Sequence, residues 1–209
     1  MSEVNFRLYV ITDRHQCQGG QLSKVIEEAC ASGVKAVQLR EKDLSSLVLY
    51  QLAEDINKIC QAAHAKLFIN DRADIAQAVD AHGVQLTSQS LPIHAIRNIL
   101  TQSKLVGVST HSLEEAKRAE DEGADFVLFG PVFFTPSKAA FGEPQGLDRL
   151  EKIAKIVQVP VFAVGGIDPS RAKQCRENGA FGVAVISAVM GSPNVKFVVQ
   201  EFERNLGGL

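Results

Sequence analysis

The chain has 209 residues, 45% of them hydrophobic and 22% charged, with a net charge of −2. Those proportions belong to a globular chain long enough to bury a full core, so residues 1–209 are expected to form one domain. The slight acidity gives no reason to expect nucleic acid or an anionic membrane as partner, and any phosphate chemistry must rest on a local cationic site. No apolar run reaches the length of a bilayer span, and Met1-Ser2-Glu3-Val4-Asn5 lacks the basic and apolar regions of a signal peptide. Cys17, Cys30, Cys60 and Cys175 form neither a CxxC pair nor a zinc-ligand spacing, which fits a reducing cytoplasm.

Short apolar runs alternate with amphipathic stretches from one end of the chain to the other. Strands are predicted at Leu8–Ile11, Ala36–Leu39, Leu67–Ile69, Gly83–Leu86, Leu105–Val108, Phe126–Phe129, Val161–Val164 and Gly182–Ile186. Helical periodicity is clearest at Leu22–Ser32, Ser46–Ala63, Ser112–Glu122 and Pro169–Asn178. Ser112-Leu113-Glu114-Glu115 has the pattern of a capping box, and Pro169 and Pro193 suit first helical turns, where a missing N–H costs nothing.

A faint repeat runs through the texts Gly33-Val34-Lys35-Ala36-Val37, Gly123-Ala124-Asp125-Phe126-Val127 and Gly179-Ala180-Phe181-Gly182-Val183. In each, a glycine suited to a left-handed helix end comes just before a strand. Recurring helix–glycine–strand units imply parallel strands joined by right-handed crossovers. Eight of them predict a compact (β/α)8 TIM barrel, an α/β fold whose active site lies at the C-terminal ends of the strands. No GxGxxG follows the first strand, which weighs against an open dinucleotide-binding sheet.

The strand ends are therefore where function is read. Gln38, Arg40 and Lys42 fall on one side if alternation continues past the second strand, a clamp suited to a diphosphate. The competing reading is a salt bridge of these cations with Glu41 or Asp43. Asn70-Asp71 offers oxygen ligands to Mg²⁺, or a turn in which Asp71 caps the next helix. The fourth strand ends in the polar, uncharged run Gln85-Leu86-Thr87-Ser88-Gln89-Ser90, and the fifth in Ser109-Thr110-His111, where His111 can meet a ligand or a neighbouring loop.

The sixth strand runs into Gly130-Pro131-Val132-Phe133-Phe134-Thr135-Pro136-Ser137-Lys138, which holds two hydroxyls, a lysine and no carboxylate, a loop built to receive an anion. Gly165, Gly166 and Ser187, after the last two strands, fit the backbone phosphate site that barrels often place there. Two anion subsites follow: a cationic one of Arg40, Lys42 and Lys138, and a backbone one of Gly165, Gly166 and Ser187.

Gln-Leu-Arg-Glu-Lys, Ile-Asn-Asp-Arg, Gly-Val-Ser-Thr-His, Gly-Pro-Val-Phe-x-Thr-x-x-Lys and Val-Gly-Gly-Ile occur in that order, and across nearly the whole chain it resembles the thiamin phosphate synthase family and the related TenI-type thiazole tautomerases. The resemblance to the synthases implies a transferase that joins hydroxymethylpyrimidine diphosphate to thiazole phosphate, releasing diphosphate. It assigns Gln38, Arg40, Lys42, Asn70 and Lys138 to the pyrimidine diphosphate and Ser109 to the pyrimidine. Asp71 is implied as ligand to Mg²⁺, and Thr135, Pro136, Ser137, Gly166, Ile186 and Ser187 as the thiazole phosphate site. Two positions depart from the family pattern. Ser90 stands where synthases carry a second metal-binding aspartate, and Pro131 stands where the tautomerases carry their catalytic histidine. The alternatives are a tautomerase relying on His111, a non-catalytic thiamin-phosphate-binding relative, and a Schiff-base aldolase using Lys42 or Lys138. A homo-oligomer is compatible with the sequence, which does not specify one.

Overall fold

The computed structural model describes residues 3–17, 21–101, 103–136 and 143–207. Its eight strands are β1 (Leu8–Ile11), β2 (Ala36–Leu39), β3 (Lys66–Asn70), β4 (Gly83–Leu86), β5 (Leu105–Thr110), β6 (Phe126–Phe129), β7 (Val161–Val164) and β8 (Gly182–Val185). All are parallel, each pairs with the next, and β8 pairs with β1 to close the barrel. The helices among the described residues are α1 (Leu22–Ala31), α2 (Ser46–Ala62), α3 (Ala73–Ala78), α4 (Ile93–Ile99), α5 (Leu113–Asp121), α6 (Gly146–Ile156), α7 (Pro169–Glu177), α8 (Ser187–Met190) and α9 (Val195–Leu206). None of the described helices is long and apolar enough to cross a membrane.

Compared with the sequence expectation, β3 and β5 run longer, and β8 stops at Val185 because Ile186 leaves the strand as the residue preceding α8. Pro193 lies before the cap of α9 and not in its first turn. The cap is Asn194, whose side chain accepts the Phe197 N–H, a role proline cannot fill. At α5 the Ser112 hydroxyl accepts the Glu115 N–H at 3.1 Å as the capping box requires, but Glu115 reaches back to the N–H of His111 (2.7 Å) instead of that of Ser112.

Alternation along the strands builds two cores. One face packs on the helices; the other fills the barrel with Phe6, Tyr9, Phe68, Phe126 and Phe162, whose ring centroids lie 5.2–6.2 Å apart, mostly edge to face. Phe68 on β3 meets Phe126 on β6 across the barrel, so the bottom is plugged. One residue pair further along the strands, the inward positions are Gln38, Asn70, Gln85 and Ser109 on β2–β5, but Leu128, Val164, Ile186 and Ile11 around the rest of the ring. The mouth above the aromatic plug is thus polar on one side and apolar on the other.

Five helices end in one motif. In each, the residue after the left-handed position donates back to the helix: Val34 to Ala29, Ala65 to Cys60, Ala81 to Ala76, Ala124 to Ala119 and Ala180 to Cys175, at 2.8–3.1 Å. These are Schellman terminations, each sealed by a buried apolar residue that leads into the next strand. The left-handed position is glycine at Gly33, Gly123 and Gly179, the three seen in the repeat, but His64 (φ 53°) and Asp80 (φ 54°) fill it in the other two units.

Candidate active site at the C-terminal mouth of the barrel

The polar side of the mouth is held by side chains. The Gln38 amide is 2% exposed and donates to Asn70 Oδ1 at 3.0 Å, while Gln85 on β4 donates to Ser109 Oγ at 3.2 Å. The oxygens Gln38 Oε1 and Gln85 Oε1 are both buried with no hydrogen-bond partner among the described residues. Buried amide oxygens without partners are costly in a finished core and common where a ligand or water completes the set.

Just beyond, Thr12 ties β1 to the end of β2: its hydroxyl accepts the Arg40 N–H at 2.9 Å and donates to Glu41 Oε1 at 2.6 Å. Glu41 is thereby buried beneath the first loop, with Arg40 half-buried and Lys42 exposed on either side of it in sequence. For Arg40, the expected alternative of a salt bridge to Glu41 or Asp43 is not found among the described residues, where these carboxylates pair differently. Arg14 takes both carboxylates, reaching Glu41 at 3.0 Å and gripping Asp43 with two bonds of 2.6 Å.

Asp71, at the tip of β3, is exposed and left-handed (φ 65°), a conformation that non-glycine residues adopt rarely and aspartate more readily than most. It does not cap the next helix. Arg72 precedes α3 and makes no side-chain cap, and the Arg72 guanidinium is spent on Asp74 (2.6 and 2.9 Å). The Asp71 carboxylate makes no hydrogen bond among the described residues, so it is available to a ligand.

The opposite side is held by backbone. Val132 N–H donates to Val164 O (2.9 Å) and Phe133 N–H to Gly165 O (3.1 Å), so the loop after β6 is zipped onto the loop after β7. The contact is close: a Cβ on Gly166, whose φ is +65°, would sit 2.4 Å from Phe134 O. Arg171 closes the turn by donating to Gly166 O at 2.5 Å and lying over the Phe133 ring, 4.9 Å from its centroid. His111 Nδ1 lies 2.6 Å from Gly130 O; a carbonyl only accepts, so this nitrogen carries the proton and His111 pins the start of the loop.

Thr135 is half-buried and Pro136 exposed in this loop, with Ile186 half-buried and Ser187 exposed at the end of β8. Ser137 and Lys138 lie outside the described residues. A separate cleft of about 260 Å³ runs between the loop after β4 and α5, and it meets the expected site residues only at Ser109.

The model of the thiamine monophosphate synthase family matches residues 8–189. The chain belongs to this family. It is 47% identical over 194 residues to a putative thiamine-phosphate synthase of Geobacter sulfurreducens, covering 93% of this chain and 91% of that one. It is 40% identical over 203 residues to the thiamine-phosphate synthase of Alkaliphilus oremlandii, covering 97% of each. Among solved structures, thiamine phosphate pyrophosphorylase from Pyrococcus furiosus superposes with a TM-score of 0.88 at 36% identity, over 96% of this chain and 95% of that one.

Within this synthase-family barrel, the metal question turns on one carboxylate. No group of three or more His, Cys, Asp or Glu side chains among the described residues is placed to hold an ion. Ser90 accepts the Thr87 N–H at 2.8 Å and closes its own loop. Asp43 and Asp74 are both engaged by arginines and Glu41 is buried, so none of them replaces a second carboxylate near Asp71. One free carboxylate fits Mg²⁺, which commonly takes one or two protein carboxylates together with substrate phosphates.

The sequence gives no sign of the roles of Thr12 and Arg14, and it marks Gln85 only as the first residue of the polar run that ends the fourth strand.

Proposed function

We propose that this chain is a thiamine-phosphate synthase, acting on hydroxymethylpyrimidine diphosphate and thiazole phosphate to give thiamin monophosphate and diphosphate. The observation that carries this reading is the divided mouth, side-chain donors and cations across β2–β5 and glycine backbone across β6–β8, in a chain of this family. The reaction breaks the bond between the pyrimidine methylene carbon and the diphosphate oxygen, with both electrons leaving on the oxygen. The thiazole nitrogen lone pair then forms the new C–N bond.

Charge builds on the departing diphosphate, so groups aimed there lower the barrier most, and losing one such donor typically costs roughly 10²–10³-fold in rate. Arg40, Lys42 and Lys138 are assigned that task. Gln38, Asn70 and Ser109 would orient the pyrimidine, while Thr135, Pro136, Ser137, Gly166, Ile186 and Ser187 would hold the thiazole phosphate. Asp71 would hold Mg²⁺, which when bound supplies further positive charge beside the phosphates. All four cysteines are free and buried, which supports a reducing cytoplasm as the working compartment. The tautomerase reading lacks a proton-transfer group in this loop, since position 131 is proline and His111 is committed to Gly130 O.

The test is direct. Purified protein given both substrates and Mg²⁺ is expected to form thiamin monophosphate and diphosphate in equal amounts, measured by chromatography. No product at any Mg²⁺ concentration would overturn the proposal.

A further inference from the structure

The loop after β2 reads Arg40-Glu41-Lys42-Asp43, two cations interleaved with two carboxylates. An anion site made from such a segment is neutralised from within unless something separates the charges. In this structure Arg14, delivered by the loop after β1, does so. Its guanidinium bonds Asp43 at 2.6 Å through each of two nitrogens and Glu41 at 3.0 Å. His15 adds a contact to Asp43 at 3.2 Å. Among the described residues no carboxylate pairs with Arg40.

We infer that Arg14 is a positioning residue that keeps the diphosphate clamp cationic by holding Asp43 and Glu41 away from Arg40. This rests on the synthase reading of the same mouth. The two carboxylates depend on Arg14 unequally. Glu41 also has the Thr12 hydroxyl (2.6 Å) and the backbone N–H of Arg14 (3.2 Å), both of which survive a change of side chain at position 14. Asp43 is more than half exposed and, among the described residues, would keep no side-chain partner but His15. Asp43 is therefore the charge that Arg14 restrains. The Arg14 guanidinium also holds the Asp43 carboxyl well below the usual carboxylate range, so the pair stays ionised at neutral pH.

The experiment is calorimetric titration with inorganic pyrophosphate, with Mg²⁺ and without it, on wild type, Arg14→Gln, Asp43→Asn and the double variant. Arg14→Gln is expected to weaken pyrophosphate binding about tenfold at low salt, the scale of one loose opposing charge near the anion after screening, and by less at high salt. Asp43→Asn alone should leave affinity within about twofold, and adding it to Arg14→Gln should restore most of what was lost, because the interfering charge is gone. In turnover, Arg14→Gln should raise KM for the pyrimidine diphosphate more than it lowers kcat.

A wild type that does not bind pyrophosphate would overturn the clamp itself. A wild type that binds, with Arg14→Gln binding equally well, would overturn the role of Arg14 and leave the clamp standing. Loss in Arg14→Gln without recovery in the double variant would also overturn it, since a merely structural or directly contacting arginine is not rescued by removing a second partner. Should Arg14→Gln not fold, Arg14→Lys carries the same comparison, because one ammonium cannot grip both carboxylates.

Discussion

From β2 to β5 the barrel presents side chains to its mouth, the amides of Gln38, Asn70 and Gln85 and the hydroxyl of Ser109, with a sorted set of charges just above them. From β6 to β8 it presents backbone, in loops that touch each other at Gly130, Gly165 and Gly166. The first half offers functional groups on side chains, so a substitution there changes chemistry before it changes structure. The second half offers the path of the chain itself, so a substitution there moves the chain first. Two substrates that each carry phosphate can be told apart by such a mouth, because cationic side chains and backbone N–H groups place different demands on shape and charge.

The largest effect that would expose this difference is expected from Gly166→Ala. Its left-handed backbone, together with a Cβ 2.4 Å from Phe134 O, forces the two loops apart. The expected cost is roughly 2–3 kcal/mol, or a Tm lower by roughly 4–12 °C, with turnover lost. Thermal denaturation and the synthase assay report both; a variant of wild-type Tm and rate would show that the backbone half is not close-fitting.

Gln38→Met is the matching change on the other half. It keeps the volume and removes the amide, and Asn70, being half-buried, can find water instead. Stability should change by less than about 1.5 kcal/mol, while kcat/KM for the pyrimidine diphosphate falls by roughly tenfold or more, the scale of one lost hydrogen bond to substrate. If the KM for thiazole phosphate rose instead, the assignment of the polar half to the pyrimidine would fall.

Much of this architecture is legible in the sequence, for local reasons. Each strand is a short buried apolar run set off by glycine or polar residues, so Leu8–Ile11 and Phe126–Phe129 are visible at their observed limits. The residues at the strand tips follow from the barrel rule, which is why Gln38, Asn70 and Gly166 could be named before any geometry. What stays hidden is set by closure. Arg14 lies 27 residues from Glu41 and 29 from Asp43, and only the pairing of β1 with β2 brings them together. Whether Asp71 caps the next helix depends on its backbone angle, which is left-handed here, and no residue pattern reports that angle. Short helices are hidden for another reason: α3 has 6 residues and α4 has 7, too few to display a period.

The same limit explains the two helix ends that the glycine repeat did not reveal, and it gives the smallest effect worth measuring. His64 and Asp80 make the terminations that Gly33, Gly123 and Gly179 make, but with side chains that the left-handed region disfavours. Asp80 has a compensating ion pair with Lys104; His64 is exposed, with no hydrogen bond from its ring among the described residues. Replacing His64 by glycine relieves about 1 kcal/mol or more of backbone strain, offset in part by glycine's larger loss of freedom on folding. A net gain of about 0.5 kcal/mol is expected, or a Tm higher by roughly 1–2 °C, with synthase activity unchanged because His64 lies at the end of the barrel opposite the mouth. The converse, Gly123→Ala, meets nothing within 4 Å, so its loss of about 1 kcal/mol would come from φ +93° alone. Shifts of opposite sign and about these sizes in the two variants would show that these helix ends are set by backbone conformation; a His64→Gly protein less stable than wild type would mean that the imidazole makes a contact worth more than the strain.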